Sequence, residues 1–228
     1  MVSTTRFRPN LFDVANYVFL ALFSLSVIYP FWDMLMKSFS TPADASRLGF
    51  ALFPTEISFT AYRMALGGRV LVGYGNTIFR TVFGTVLTLI VVSCAAFPLS
   101  KRSLPLRNTI TLYLVFTMFF SGGLIPSYLN IKNLGLIDSR WSLIVPGLAG
   151  VLNILIVRNF MSTIDKSLEE SAAIDGASQI RILFQIIVPV SKPILATVAL
   201  WTIVGHWNAW FDALIFINST SKEVLQLM

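Results

Sequence analysis

Cysteine and histidine are almost missing from this chain: each occurs once, as Cys94 and His206. A single cysteine excludes an internal disulfide framework and any thiolate metal cluster, so the compartment has to be read from topology. Charge is scarce as well. At 12% charged residues, a chain of 228 residues has too little polar surface for a soluble globule. No lysine follows a glycine in the phosphate-loop pattern, which leaves the chain without an ATP site of its own. No carboxylate or cysteine cluster joins His206, so a satisfied histidine inside a membrane is expected rather than a metal ligand or general base. The formal net charge is +6, but the basic residues are scattered between apolar runs and form no aromatic-interleaved patch for nucleic acid. These absences point away from an enzyme, and no cofactor or metal is expected.

What is present is apolar. Hydrophobic residues make up 55% of the chain, in runs long enough at about 20 residues per span to cross a bilayer. The expected fold is all-α, a polytopic membrane helix bundle, with crossings at about 12–36, 76–99, 107–120, 142–160 and 193–217. The first run is too long for a signal-peptide core and lacks a small-x-small cleavage site. Pro30 is expected to kink it. Residues 37–75 read as an ordered outer loop. Glycine pairs and a proline break the pattern at Ser121–Leu129, and Asn133–Ser139 continue the break; such backbone is tolerated only where protein or water covers it.

Short loops set the orientation. Placing the amino terminus, the 101–107 turn and residues 161–192 in the cytoplasm gathers Arg6, Arg8, Lys101, Arg102, Arg107, Arg158, Lys166, Arg181 and Lys192 inside. Lys37, Arg47, Arg63, Arg69, Lys132, Arg140 and Lys222 then lie outside. Arg80 and Arg158, near span ends, read as snorkelling anchors.

The 161–192 loop is the one polar island. Ser167 with Glu170 three residues later fits a capping box, opening a short helix over about Leu168–Ile174. Gly176 supplies a helix end, and Ser178 can cap a second helix through Arg181 to Val188. Pro189 and Pro193 mark the next junction. Two short helices joined at a glycine, carrying Glu169, Glu170, Asp175 and Arg181, suit insertion into a partner's cleft.

Glu170, Ser171, Ala172, Asp175, Gly176, Ala177, Ile186 and Pro189 together resemble the EAA loop of binding-protein-dependent ABC importer permeases, with Ser171 replacing the usual first alanine. The alternative at this point is an ordinary amphipathic hairpin between membrane helices. Residues 121–139, with their Asn-Leu-Gly-Leu turn, resemble the outer loop of the carbohydrate class (maltose-type), especially the branch importing oligosaccharides and uronate-containing glycans. The resemblance implies the type I importer fold in a bacterial inner or plasma membrane, with a cytoplasmic amino terminus. It also implies an ATPase dimer gripping Glu169, Glu170, Ala172, Asp175, Gly176 and Ala177, a second permease subunit making a hetero-dimer, an external sugar-binding protein and a sugar or oligosaccharide substrate. Permeases of that family add one more helix after the fifth, so a sixth span is expected beyond residue 228.

The last expected crossing contains Gly205-His206-Trp207-Asn208-Ala209-Trp210-Phe211-Asp212. On a continuous helix Asn208 and Asp212 lie four apart on one face, and polar side chains inside a span usually face a cavity. Trp207 and Trp210 can stack on sugar rings while Asn208 and Asp212 bond hydroxyls. The competing reading places the tryptophans in an interfacial aromatic belt with Asp212 simply wet. A secondary transporter or channel without an ATPase, and a non-transporting scaffold, are the alternatives for the whole chain.

Overall fold

A computed structural model describes residues 10–46 and 52–228. Arg6, Arg8 and Arg47 lie outside the described residues. The chain divides into two units, residues 1–68 and 69–228.

In the first unit, α1 spans Leu11–Ser38 and runs on through Pro30. Asn10 and Asp13 form its capping box, the Asn10 N–H donating to the Asp13 carboxylate at 3.0 Å. Short helices follow, α2 at Pro42–Ala45 and α3 at Thr60–Ala65. Among the described residues no strand forms beyond an isolated bridge between Ser40 and Ile57.

The second unit is built on α4, Arg69–Ser100. Helix α4 buries Gly73, Thr77, Thr81, Gly84 and Thr88, small or hydroxyl-bearing residues three and four apart. That spacing puts them on one stripe and lets another backbone approach closely, which is how membrane helices associate without a hydrophobic drive between them. The helices packed on α4 are α7 (Val151–Met161) and α11 (Lys192–Asn208). Between them in sequence come α5 (Arg107–Phe119), α6 (Leu124–Asn133), and after α7 the short α8 (Lys166–Ile174), α9 (Gln179–Ile182) and α10 (Val188–Val190); α12 (Phe211–Phe216) follows α11.

Of these, α1 and α4 are singly long and apolar enough to cross a membrane. The other expected crossings fall on bent pairs. Helix α5 has 13 residues, about 20 Å at 1.5 Å per residue, and turns by 112° into α6. Two 3₁₀ turns, Arg140–Leu143 and Val145–Gly147, meet α7 at 48°, and the α9–α10 arm meets α11 at 82°. Proline and glycine at 146, 147 and 150 explain why the expected helix at 142 starts only at Val151. Helix α4 begins seven residues before the expected 76, because Gly73 and Gly75 do not interrupt it.

Two apolar clusters fix the ends. One gathers Val92, Ala96, Phe97 and Leu99 of α4 with Ile154, Val157 and Met161 of α7, Ile182, Leu183 and Ile187 after the elbow, and Leu195 and Val198 of α11. The other joins Ile131, Leu143, Ala213, Phe216, Ile217 and Val224. Beside the second cluster the 218–228 segment is laid along the start of α4. Asn76 Nδ2 donates to the Ser221 and Glu223 carbonyls at 3.0 and 2.8 Å, and the Leu225 N–H donates to Thr77 Oγ1 at 3.0 Å. Asp138 holds the same segment from the other side. Its carboxylate accepts the Asn218 and Ser219 N–H groups at 3.1 and 2.9 Å, the Ser219 hydroxyl, and the Lys222 ammonium at 2.9 Å.

These donors, the Ser219 hydroxyl first and the Lys222 ammonium next, hold the Asp138 carboxyl well below the usual carboxylate range. Folding therefore favours its charged form. The stabilisation is present in full above the ordinary aspartate value of about 4 and fades only as pH falls toward the depressed one. Hydrogen exchange at Asn218 and Ser219 is expected to stay slow from pH 8 to 5 after correction for intrinsic rates, and to become fast at neutral pH in Asp138→Ala.

Gly84 supplies a second check on the packing. A Cβ there would overlap the imidazole ring of His206, so Gly84→Ala requires the ring or the two helices to shift. Overpacking of this kind costs about 1–3 kcal/mol, equivalent to a lowering of the melting midpoint by about 2–12 °C for a chain of this size. Thermal unfolding in detergent is expected to show that loss, and the cost of Gly84→Ala is expected to be smaller when measured against His206→Ala, where the overlap is gone.

Candidate functional site

The polar island folds as an elbow. Asp165, not Ser167, is its N-cap: the Asp165 carboxylate accepts the Ser167 N–H at 2.9 Å and α8 starts at Lys166. That bond holds the Asp165 carboxyl below its ordinary range, with the Ser167 hydroxyl adding to it. The expected cap at Ser167 is thereby displaced by two residues, because the aspartate reaches the free Ser167 N–H from two positions earlier.

Helix α8 ends in a Schellman motif. Gly176 has φ +79°, its N–H donates to the Ala173 carbonyl at 3.1 Å, and the Ala177 N–H reaches back to Ala172 at 2.9 Å. The left-handed conformation is what glycine accepts without cost. Ala172 and Ala177, brought together by that last bond, both pack against the large apolar cluster. Directly after the turn, Ser178 caps α9 by accepting the Arg181 N–H at 3.3 Å. Residues 183–187 then widen into a π-helical turn, and the chain reaches α10. Ile182, Leu183 and Ile187 are buried, so the second arm is embedded in the bundle.

The first arm is not. Helix α8 buries none of its residues fully. Glu170, Ser171, Asp175 and Gly176 are exposed, and Ile174 stands 87% exposed between them. Glu169 is half-buried and ion-paired with Lys101. The six residues singled out by sequence therefore divide: Asp175 and Gly176 are exposed, Ala172 and Ala177 pack on the bundle, and Glu169 and Glu170 both border the cavity between α8 and the end of α4, Glu170 from its exposed rim. Ile174 was passed over in the sequence reading, since an isoleucine at a helix end looks like core.

The second group of singled-out residues sits where α11 breaks. The helix stops at Asn208, Ala209 is extended (ψ 130°), and α12 restarts at Phe211. Asn208 and Asp212 consequently do not share a helix face. Asn208 Nδ2 donates to the Val204 carbonyl at 2.9 Å within its own helix. Asp212 turns to Arg80 of α4, which grips both carboxylate oxygens, one of them at 3.1 Å. The same guanidinium donates to the Ala209 carbonyl at 3.1 Å and to His206 Nδ1 at 3.3 Å. Trp207 and Trp210 are part-exposed beside this knot, Trp207 tilted against Tyr74 and Trp210 edge-on to Phe211.

Arg80 is thus no snorkelling anchor: it is 4% exposed, and it satisfies the carbonyl freed by the break. An arginine in an otherwise apolar stretch, with Asp212 in another, was the available signal. Accepting from Arg80 at Nδ1 leaves the proton of a neutral His206 on Nε2, toward Gly84. A cavity of about 300 Å³ opens next to the knot, lined by Arg80, Thr88, Asn153, Trp201, Thr202 and His206. Aromatic, amide and hydroxyl groups of this kind are what polyhydroxylated ligands bind to, but Asp212 itself is occupied.

Residues 70–225 match the family model described as the inner membrane component of binding-protein-dependent transport systems. The chain belongs to that family. It is 40% identical over 220 residues to Protein LplC of Bacillus subtilis, covering 96% of this chain and 75% of that one. It is 38% identical over 224 residues to the polygalacturonan/rhamnogalacturonan transport system permease protein YtcP of the same organism, covering 97% and 78%. A chain in the crystal structure of a bacterial ABC transporter importing the acidic polysaccharide alginate superposes with a TM-score of 0.91 at 35% identity, over 98% of this chain and 81% of that one. The all-α bundle is therefore the transmembrane fold of an ABC importer, and this family member is a multi-pass permease subunit.

The Arg80–Asp212 pair carries an asymmetry that mutation can read. The arginine side chain is 5% exposed and the aspartate 31%. Asp212→Ala strands a buried guanidinium, and losing one partner of a buried pair costs about 3–5 kcal/mol. Arg80→Met leaves a carboxylate that is already partly exposed, together with the Ala209 carbonyl, and no buried charge, and is expected to cost less. Detergent melting of the two variants is expected to place Asp212→Ala lower.

Proposed function

We propose that this permease subunit carries a sugar or oligosaccharide across the bacterial inner or plasma membrane, driven by ATP hydrolysed in a separate subunit that docks on the elbow. The observation that carries the reading is the outward face of α8: Ile174, 87% exposed, sits between Glu170 and Asp175. An apolar side chain flanked by carboxylates at a helix end has the composition of a docking knob. Gly176 sets the turn beneath the knob, and Ala172 with Ala177 seat it on the bundle. Glu169, in this reading, grips the bundle rather than the ATPase.

The family supports the remaining partners in this reading. A second permease subunit, of different sequence, completes the pathway, and an external binding protein delivers the substrate. The amino terminus and the elbow lie on the cytoplasmic side. ATPase closure pushes the elbows together and favours one of two bundle states, which requires contacts that differ between those states. The names of the relatives, polygalacturonan/rhamnogalacturonan and alginate transporters, support a uronate-containing glycan as the substrate class. Trp207, Trp210 and the polar cavity beside His206 are the surfaces this reading assigns to the pathway, with Asn208 and Asp212 holding the broken helix in shape.

ATP-dependent uptake into vesicles tests the reading, with neutral and acidic oligosaccharides offered side by side. Glu170→Lys and Gly176→Pro are expected to lower uptake by at least about tenfold, the equivalent of about 1.4 kcal/mol of lost coupling, while membrane insertion is unchanged. Uptake at the unaltered rate in both variants overturns the docking assignment.

A further inference from the structure

Lys101 stands one residue beyond α4, and its ammonium touches three elements. It lies 4.1 Å from the centroid of the Phe97 ring on the last turn of α4. It is ion-paired with Glu169 in α8. It also donates to Gln179 Oε1, at the first residue of α9, at 3.2 Å. Glu169 and Gln179 flank the Gly176 turn, so one side chain ties both arms of the elbow to the end of the longest helix in the unit.

The surroundings make this tie mechanically distinct. A cavity of about 490 Å³, bordered by Ser100, Arg102, Ser162, Lys166 and Glu170 among others, lies between α8 and the end of α4. Helix α8 has no fully buried residue with which to lean on the bundle, and Ala172 and Ala177 pack there only partly buried. Lys101 and Glu169 side chains are 25% and 21% exposed, so their attraction is less screened than at an open surface. This ion pair bridges the cavity between α8 and the end of α4. The far part of α4 carries Arg80, which holds the break after α11.

We propose that Lys101 is the positioning residue that transmits movement of the docked elbow to α4, an assignment that rests on the docking reading above. It makes no contact with substrate or nucleotide; its role is to keep Glu169 and Gln179 at a fixed place relative to Phe97. Losing it leaves the outward face of α8 intact and the ATPase bound, but lets the elbow move without the bundle.

The test uses the whole complex, captured from native membranes through a tag on this chain and reconstituted in proteoliposomes. ATP hydrolysis and glycan uptake are measured separately. Lys101→Glu and Glu169→Lys are each expected to lower uptake per ATP by about tenfold, with the ATPase still co-purifying. Lys101→Glu combined with Glu169→Lys is expected to restore most of the ratio, and Lys101→Arg to keep it. Lys101→Met, which retains the aliphatic stem and loses only the charge, replaces the reversed-charge variant if that one fails to insert. An unchanged ratio in the single variants overturns the proposal, and so does a double variant as defective as either single. Failure of the docking reading looks different: Glu170→Lys then leaves ATPase association, hydrolysis and uptake all unaltered.

Discussion

In an apolar bundle a charge or a free peptide group has to be answered from within the protein, because water is not there to do it. Arg80 is where that requirement is tightest. Its guanidinium takes the Asp212 carboxylate, the Ala209 carbonyl and a ring nitrogen of His206, and so makes an interrupted helix tolerable. Without a buried cation at that point, the extended residue at 209 leaves a carbonyl with no partner. The break, the cavity beside it and the path of the chain into α12 all follow from that one satisfied knot.

Helix α4 joins this knot to the other end of the unit. Its 32 residues span roughly 48 Å at 1.5 Å per residue, more than a hydrocarbon core is thick. Near its start it holds the 218–228 segment through Asn76 and Thr77. Past its end Lys101 reaches the elbow, and Arg107 donates to the Leu99 carbonyl at 2.8 Å, satisfying an orphan of the final turn. Helices α7 and α11 pack on it between these points. A rod with polar attachments at both ends and close packing along its middle is suited to move as a body.

The sequence made the elbow legible because its chemistry is local. Asp-Gly-Ala after a helical run names a left-handed turn, and a serine just beyond it names the next cap; both are found as the spacing implies. The class of fold was legible too, since apolar run length is set by bilayer thickness. The cap at Asp165 was misplaced because serine and aspartate compete for the same N–H groups, and only coordinates decide. The face of Glu169 was hidden for another reason. Its partner Lys101 lies 68 residues away, and no periodicity within α8 encodes it. Likewise Asn208 and Asp212 looked co-facial because helical spacing presumes a continuous helix. Arg80, Ala209 and Asp212 are joined only by tertiary contact, 129 and 132 residues apart.

Gly84 is a small notch with a long reach. The imidazole of His206 fills the volume where its side chain would stand, and that imidazole is in turn pinned by Arg80. A larger side chain at 84 would call for a smaller one at 206, and that in turn for another acceptor for the arginine. Size at one position and hydrogen bonding at the other are thereby locked into a single choice.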